Sequence, residues 1–457
     1  MTGVPAGRSG LQWLTMSDTV TRPEDEVVRI CQELIRIDTT NYGDGSGPGE
    51  AEAAAYVVEQ LREVGLEPQT FESDPGRVTV AVRIPGSDRS RGALCVHGHL
   101  DVVPADPAEW SVHPFSGEVR DGCVWGRGAV DMKDMDAMTL AVVREWARTG
   151  QRPPRDVVLA FLADEEVGGV KGAHWLVDHH PDLFDGCTEA VSEVGGFSVT
   201  VRDDLRLYPV QAAEKGIAWL RLVARGRPGH GSMRHEDNAV TRLAEAVTRI
   251  GRHRFPVVLT KTVRQFLEAL SEAFEVDLDL DSADREEIEA LLARLGGLSR
   301  MVAATLSNTA NPTMLDAGYK ANVVPGTASA VVDGRFLPGQ EEEFTRQLDE
   351  LIGSGIGREW VVHDQAVETD FDGPLVDAMA AALRAEDPAA RPVPYTMSGG
   401  TDAKSFETLG MRCFGFSPLL LPADLDFAPM FHGIDERVPT EGLRFGVRVL
   451  RRFLASS

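Results

Sequence analysis

GALCVHGHLDVVP, residues 92–104, runs an apolar strand straight into a histidine and an aspartate, His99 and Asp101. A short, continuously apolar run bounded by glycine and proline reads as a buried strand. The design recurs twice. DVVLAFLADEEVGG (156–169) ends in the adjacent acids Glu165 and Glu166, and TEAVSEVGG (188–196) ends in Glu193. Working outward, VTVAVRIPG (78–86) is a further strand. Residues 24–37 and 49–65 carry apolar positions at helical spacing, the first with acids in its opening turn, and helices are expected again near 133–148 and 171–178. Helix and strand in alternation predict an α/β sheet with helices on both faces.

The texture changes near residue 205. GIAWLRLVARG (216–226) begins a strand, a helix follows at about 236–251, and an acidic, helix-prone stretch occupies 262–296. Strands at about 302–315 and 320–336, a helix at 341–353 and the strand WVVHDQAVE complete a β-α-β-β-α-β pattern with a helical insertion. The first texture returns at about 372. The expected organisation is one catalytic domain built from 1–204 and 371–457, interrupted by an inserted α+β domain at 205–370.

Composition bounds the function. The 457 residues are 43% hydrophobic, enough for substantial cores, and the net charge of -25 repels nucleic acid and anionic membrane. No apolar run of about 18 residues is present, so no membrane span is expected. The opening MTGVPAGRSGLQWLTMSD reads as a disordered lead-in without the features of an export signal, and Met16 is an alternative start. Five scattered cysteines fit reduced thiols in the cytoplasm.

In an open α/β sheet, active sites gather at the carboxyl edge of the strands. Carboxylates desolvated together there repel one another, and a divalent cation removes that cost. Imidazole with carboxylate suits zinc, with cobalt or manganese as substitutes. Each signal has a plain alternative. A histidine after a strand is usually a hydrogen-bonded core or surface group, paired glutamates usually open a helix, and Asp131 in GRGAVDMKD (126–134) is placed to cap the helix that follows. Their joint occurrence in this order favours the metal site.

HLDVVP, GRGAVDMKD, DEEVGG and FHGIDE together resemble the metallopeptidase family of aminoacylase, acetylornithine deacetylase, succinyl-diaminopimelate desuccinylase and carboxypeptidase S, over about residues 24–453. The resemblance implies a zinc-exopeptidase-like mixed sheet with an inserted lid or dimerisation domain, and two zinc ions. His99 and Glu193 match ligands of one ion, Glu166 and His432 those of the other, and Asp131 the carboxylate that bridges them. Glu165 matches the general base and Asp101 the acid that orients His99. In the inserted domain, His230 of GRPGHGS matches a histidine that stabilises the oxyanion, commonly across a homodimer. Asn322 and Arg335 match the residues that hold a substrate carboxylate, and Gly399 and Gly400 of SGGTDAKSF line the pocket. The resemblance also implies a cis peptide between Asp131 and Met132.

The expected substrate is a small molecule with a free carboxylate. The ADEEVGG and RGRPGH segments and the 260–296 insertion look more like the aminoacylase and carboxypeptidase S branch than the desuccinylase branch. Hydrolysis of N-acyl-L-amino acids is therefore the first reading. A dipeptidase or carboxypeptidase remains open, acetylornithine or succinyl-diaminopimelate hydrolysis is a further option, and a metal-binding scaffold without activity is the alternative from another class.

Overall fold

A computed structural model describes residues 22–457; the N-terminal lead-in lies outside the described residues. Its centre is a ten-stranded mixed sheet. Strand Ala93–His99 lies between Val157–Leu162 and Cys187–Ser192, parallel to both, and Arg412–Gly415 adds in parallel beyond Cys187–Ser192. Every residue of the first two strands is buried, as a sheet covered on both faces requires. On one face, helices Pro23–Arg36, Lys133–Thr149, Pro374–Glu386 and Thr440–Ser456 share a core. The first starts with proline and three acids, which suit an open helix N-terminus, and buries Val27, Ile30, Leu34 and Ile35 on one stripe. Helices Ala173–His179 and Ala403–Glu407 pack on the other face.

A second, antiparallel sheet of four strands forms the lid, in the order Thr309–Ala317, Thr327–Phe336, Gly216–Arg225, Ile356–Asp364. Helices Ala239–Arg252 and Glu341–Ile352 cover one of its faces, completing the β-α-β-β-α-β pattern.

Two boundaries differ from the expectation. Strand Leu205–Glu214 belongs to the large sheet, where it pairs with Ala390–Met397, so the chain crosses to the lid at Lys215 and not near 204. It returns to the large sheet through Val367–Glu368, short of 370. Burial gives the reason. Residues 207–214 are buried without a break, whereas Gly216–Arg225 alternates buried with less buried positions, as a sheet covered on one face does. The helical stretch differs as well. Helix Lys261–Phe274 turns back from the lid and buries Val263, Phe266, Leu267 and Leu270 with Leu207, Val393 and Tyr395 of the large sheet.

Candidate metal centre and active-site cleft

Three strand ends and two loops converge at the carboxyl edge of the large sheet. His99, the last residue of its strand, has Nε2 3.2 Å from Asp131 Oδ1, 3.6 Å from Glu193 Oε2 and 3.9 Å from Glu165 Oε2. Its Nδ1–H donates to the main-chain carbonyl of Asp101 at 2.9 Å, which leaves the Nε2 lone pair facing the carboxylates. The Asp101 carboxylate is 3.6 Å from that ring and serves a different group. It accepts from the main-chain N–H of Glu165 and Glu166, at 3.0 and 3.2 Å, and from Asn41 Nδ2 at 2.9 Å. Asp101 thus fixes the turn that carries both glutamates.

Asp131 hangs on the loop before helix Lys133–Thr149, and its peptide to Met132 is cis. Buried Glu436 secures that loop by accepting from Val130 N–H at 2.7 Å, Gly128 N–H at 3.1 Å and Arg127 Nη1 at 2.7 Å. Asp131 Oδ2 lies 3.2 Å from His432 Nε2, and Glu166 Oε2 lies 3.0 Å from the same nitrogen. Asp164, Val194 and His432 adopt left-handed backbone with φ of 67, 56 and 57°. Non-glycine residues in that region carry strain, which clusters where function fixes a side chain. Two of them adjoin Glu165 and Glu193 in sequence.

Electrostatics follow from crowding. Burial pushes Glu165 well above the usual carboxylate range, with Glu193, Asp402 and Glu166 adding to it against His99. Burial also lifts Glu193 to about 8, with His99 opposing and Asp131 reinforcing. Burial works on Asp131 in the same direction, but His432 and His99 outweigh it and hold that carboxyl far below the ordinary value. Hydrogen bonds donated to Asp131 and Glu166 raise His432 to about 10, against burial.

The donor set fits two divalent cations. His99, Asp131 and Glu193 offer one group of ligand atoms within 4.8 Å of one another, and Asp131, Glu166 and His432 offer another. The groups share only Asp131, one oxygen facing each histidine. Three protein ligands per ion would leave a position open, as in catalytic zinc sites.

Asp131, Glu166, Glu193 and His432 floor a cleft of about 570 Å³, open to solvent, between the large sheet and the lid. Glu165, Gly399 and Gly400 line it from the catalytic side, and Ile217, Trp219 and Arg335 from the lid. Arg335 stands over the Trp219 ring, 5.4 Å from its centre, and holds Asp333 through Nε at 2.7 Å. A Cβ at Gly400 would come within 3.0 Å of Lys404 Cε and 3.2 Å of Ile217 Cδ1, so glycine permits the tight approach there.

His230 and Asn322 sit elsewhere. His230 lies in a two-stranded ribbon on the lid with Val323–Val324, and Asn322 directly precedes that second strand, where Gly231 N–H donates to Asn322 O at 2.9 Å; both are exposed. Neither lines the cleft; His230 Nδ1 accepts from Ser232 Oγ at 2.8 Å. Other residues of the site escape sequence reasoning. Asn41, behind Asp101, lies 60 residues from it in the chain. Asp402 and Lys404 stand in the SGGTDAKSF segment and line the cleft, but carry no signal beyond its glycines.

The model of peptidase family M20/M25/M40 matches residues 95–456. The chain is 28% identical to the N-fatty-acyl-amino acid synthase/hydrolase PM20D1 of Xenopus tropicalis, over 97% of this chain and 88% of that protein. It is 27% identical to aminoacylase-1 of Sus scrofa, over 95% of each. Among solved structures, the M20 family metallo-carboxypeptidase Sso-CP2 of Sulfolobus solfataricus superposes with a TM-score of 0.71 at 19% identity, covering 94% of this chain and 99% of that one.

Proposed function

The chain belongs to peptidase family M20/M25/M40 and is a metal-dependent hydrolase of amide bonds, and on that premise we propose that it cleaves N-acyl-L-amino acids. One observation carries the reading. Two three-ligand groups sharing Asp131 stand at the floor of a cleft, lined by Asp131, Glu166, Glu193 and His432, into which the lid presents Arg335, a guanidinium suited to a carboxylate. An acyl amino acid has that carboxylate one carbon from the amide nitrogen. Its relatives include two hydrolases of acyl amino acids, at 27–28% identity.

Two divalent ions, zinc or in its place cobalt or manganese, would be held by His99, Asp131 and Glu193 and by Asp131, Glu166 and His432, and would supply Lewis acidity and an acidified water. Glu165 takes the proton of the attacking water and delivers it to the leaving amine. Asp101 keeps Glu165 in place through its main-chain N–H. Arg335 binds the carboxylate and so orients the scissile bond. Gly399 and Gly400 let the substrate approach the backbone. In this reading His230 and Asn322 reach the active site of a second copy in a cytoplasmic homodimer, since within their own chain they do not line the cleft. The described residues contain no helix long and apolar enough to cross a membrane.

A dipeptidase is the second reading, and Asp402 favours it. This carboxylate lines the cleft and has no cationic partner among the described residues, a feature suited to a substrate ammonium group. A panel of N-acyl amino acids and dipeptides, with and without chelator, tests both. Chelator-sensitive release of methionine from N-acetyl-methionine, faster than from dipeptides, is the expected result; hydrolysis of dipeptides alone would refute the first reading.

A further inference from the structure

Beneath the glycine turn of the cleft lies a buried polar network that the mechanism above does not use. Lys404 Nζ donates to the carbonyls of Lys215 and Gln365, each at 2.9 Å, and lies 3.0 Å from Glu214 Oε1. Glu214 Oε2 accepts from the main-chain N–H and the hydroxyl of Thr401, both at 3.0 Å, and from Gln211 Nε2 at 3.3 Å. Lys215 Nζ donates to Ala304 O at 2.8 Å and to Thr309 Oγ1 at 3.2 Å. Glu214, Lys215 and Lys404 are at most 2% exposed.

Their placement is specific. Lys215 is where the chain passes from the large sheet to the lid, Gln365 is where it returns, and the segment from Ala304 to Thr309 is the passage from the helical stretch back to the lid. One ammonium group therefore grips two passages, and the neighbouring lysine grips a third. Thr401 follows directly on Gly399 and Gly400. Two residues past Lys215, Ile217 pairs in register with Arg335 and faces Gly400. A shift of the Lys215 carbonyl thus moves Arg335 relative to the pocket turn.

We propose that Lys404 and Glu214 are positioning residues that set the distance between Arg335 and the metal ligands. A buried ion pair is a poor source of stability but a good source of geometric definition. The substrate has a fixed spacing from carboxylate to scissile carbonyl, and a misplacement of about 1 Å costs on the order of 10²-fold in rate. The inference rests on the reading of Arg335 as the carboxylate anchor.

The test compares N-acetyl-methionine with N-acetyl-methioninamide, which lacks the carboxylate, measuring kcat and KM for deacetylation by the metal-loaded full chain. Two variants are used. The double variant Lys404→Met/Glu214→Gln removes both charges at near-constant volume. Glu214→Gln alone keeps the shape of the network and removes one charge at a residue that does not line the cleft, so it decides the question if the double variant fails to fold. The wild type is expected to prefer the acid. Both variants are expected to retain about two metal equivalents while that preference falls at least tenfold. Equal loss toward both compounds would mark the network as scaffold only and overturn the inference, as would unchanged kinetics. A wild type that shows no preference for the acid would overturn the reading of Arg335 itself, and this inference with it.

Discussion

The two edges of the parallel strands carry acids in opposite settings. At the amino-terminal edge, arginines balance them. Asp156 accepts from Arg83 at 3.3 Å and lies 3.5 Å from Arg89, and Glu189 accepts from Arg155 at 2.7 Å. Burial pushes Asp156 up, but the Gly86 N–H and the two arginines outweigh it and hold the carboxyl below its usual value. At the carboxyl edge, Glu165, Glu166 and Glu193 crowd around His99, Asp131 and His432, and burial drives all three glutamates upward. An edge that neutralises its acids holds the sheet together. An edge that concentrates them is built for cations.

Four experiments sharpen that contrast. The largest effect is expected at Asp131. Asp131→Ala should lose both metal ions together and lower kcat/KM by about 10³-fold or more, because the shared ligand serves both groups. Metal analysis reads it, and one ion retained at full occupancy would break the two-group picture. Next comes Glu165→Gln, expected to keep its metal and lose about 10²–10⁴-fold in kcat; metal lost with turnover would make Glu165 a ligand. Mixing His230→Ala with Glu165→Gln chains, each inactive alone, should restore activity up to about a quarter of wild type if His230 serves the partner's site, as random pairing of two chains with C2 symmetry would give. Mixed dimers without recovery would confine His230 to its own chain.

The smallest effect belongs to the balanced edge. Asp156→Asn should cost roughly 1 kcal/mol of stability at neutral pH, since Arg83 is partly and Arg89 largely exposed. The carboxyl is depressed in the folded protein, so its contribution is complete above the unfolded value of about 4 and fades as pH falls below it. The difference in Tm between variant and wild type should therefore shrink at low pH, with activity at neutral pH unchanged. A difference that grows on acidification would reverse the assignment.

Much of the site is legible in the sequence. His99, Glu165, Glu166 and Glu193 stand at the ends of apolar runs, and strand ends share an edge in a parallel sheet. Asp131 and His432 are legible only by motif resemblance, because loops bring them to the edge. Asn41 is not legible, since nothing local links it to Asp101. The lid boundary falls differently from the expectation because Leu205–Glu214 and Gly216–Arg225 are both apolar and nearly continuous in sequence. Only their burial on two faces or one assigns them to different sheets.

By itself, the sequence determined the alternation of helix and strand, the two-part catalytic sheet with its inserted unit, and the chemical character of one sheet edge. Those are properties of local periodicity and of residue type at strand ends. Tertiary structure decided which segments return to the large sheet, that Arg335 enters the cleft while His230 and Asn322 do not, and that Lys404 ties the pocket turn to the lid passages. These depend on contacts between residues as far apart in sequence as Lys215 and Lys404, and their geometry exists only once the separate sheets have packed.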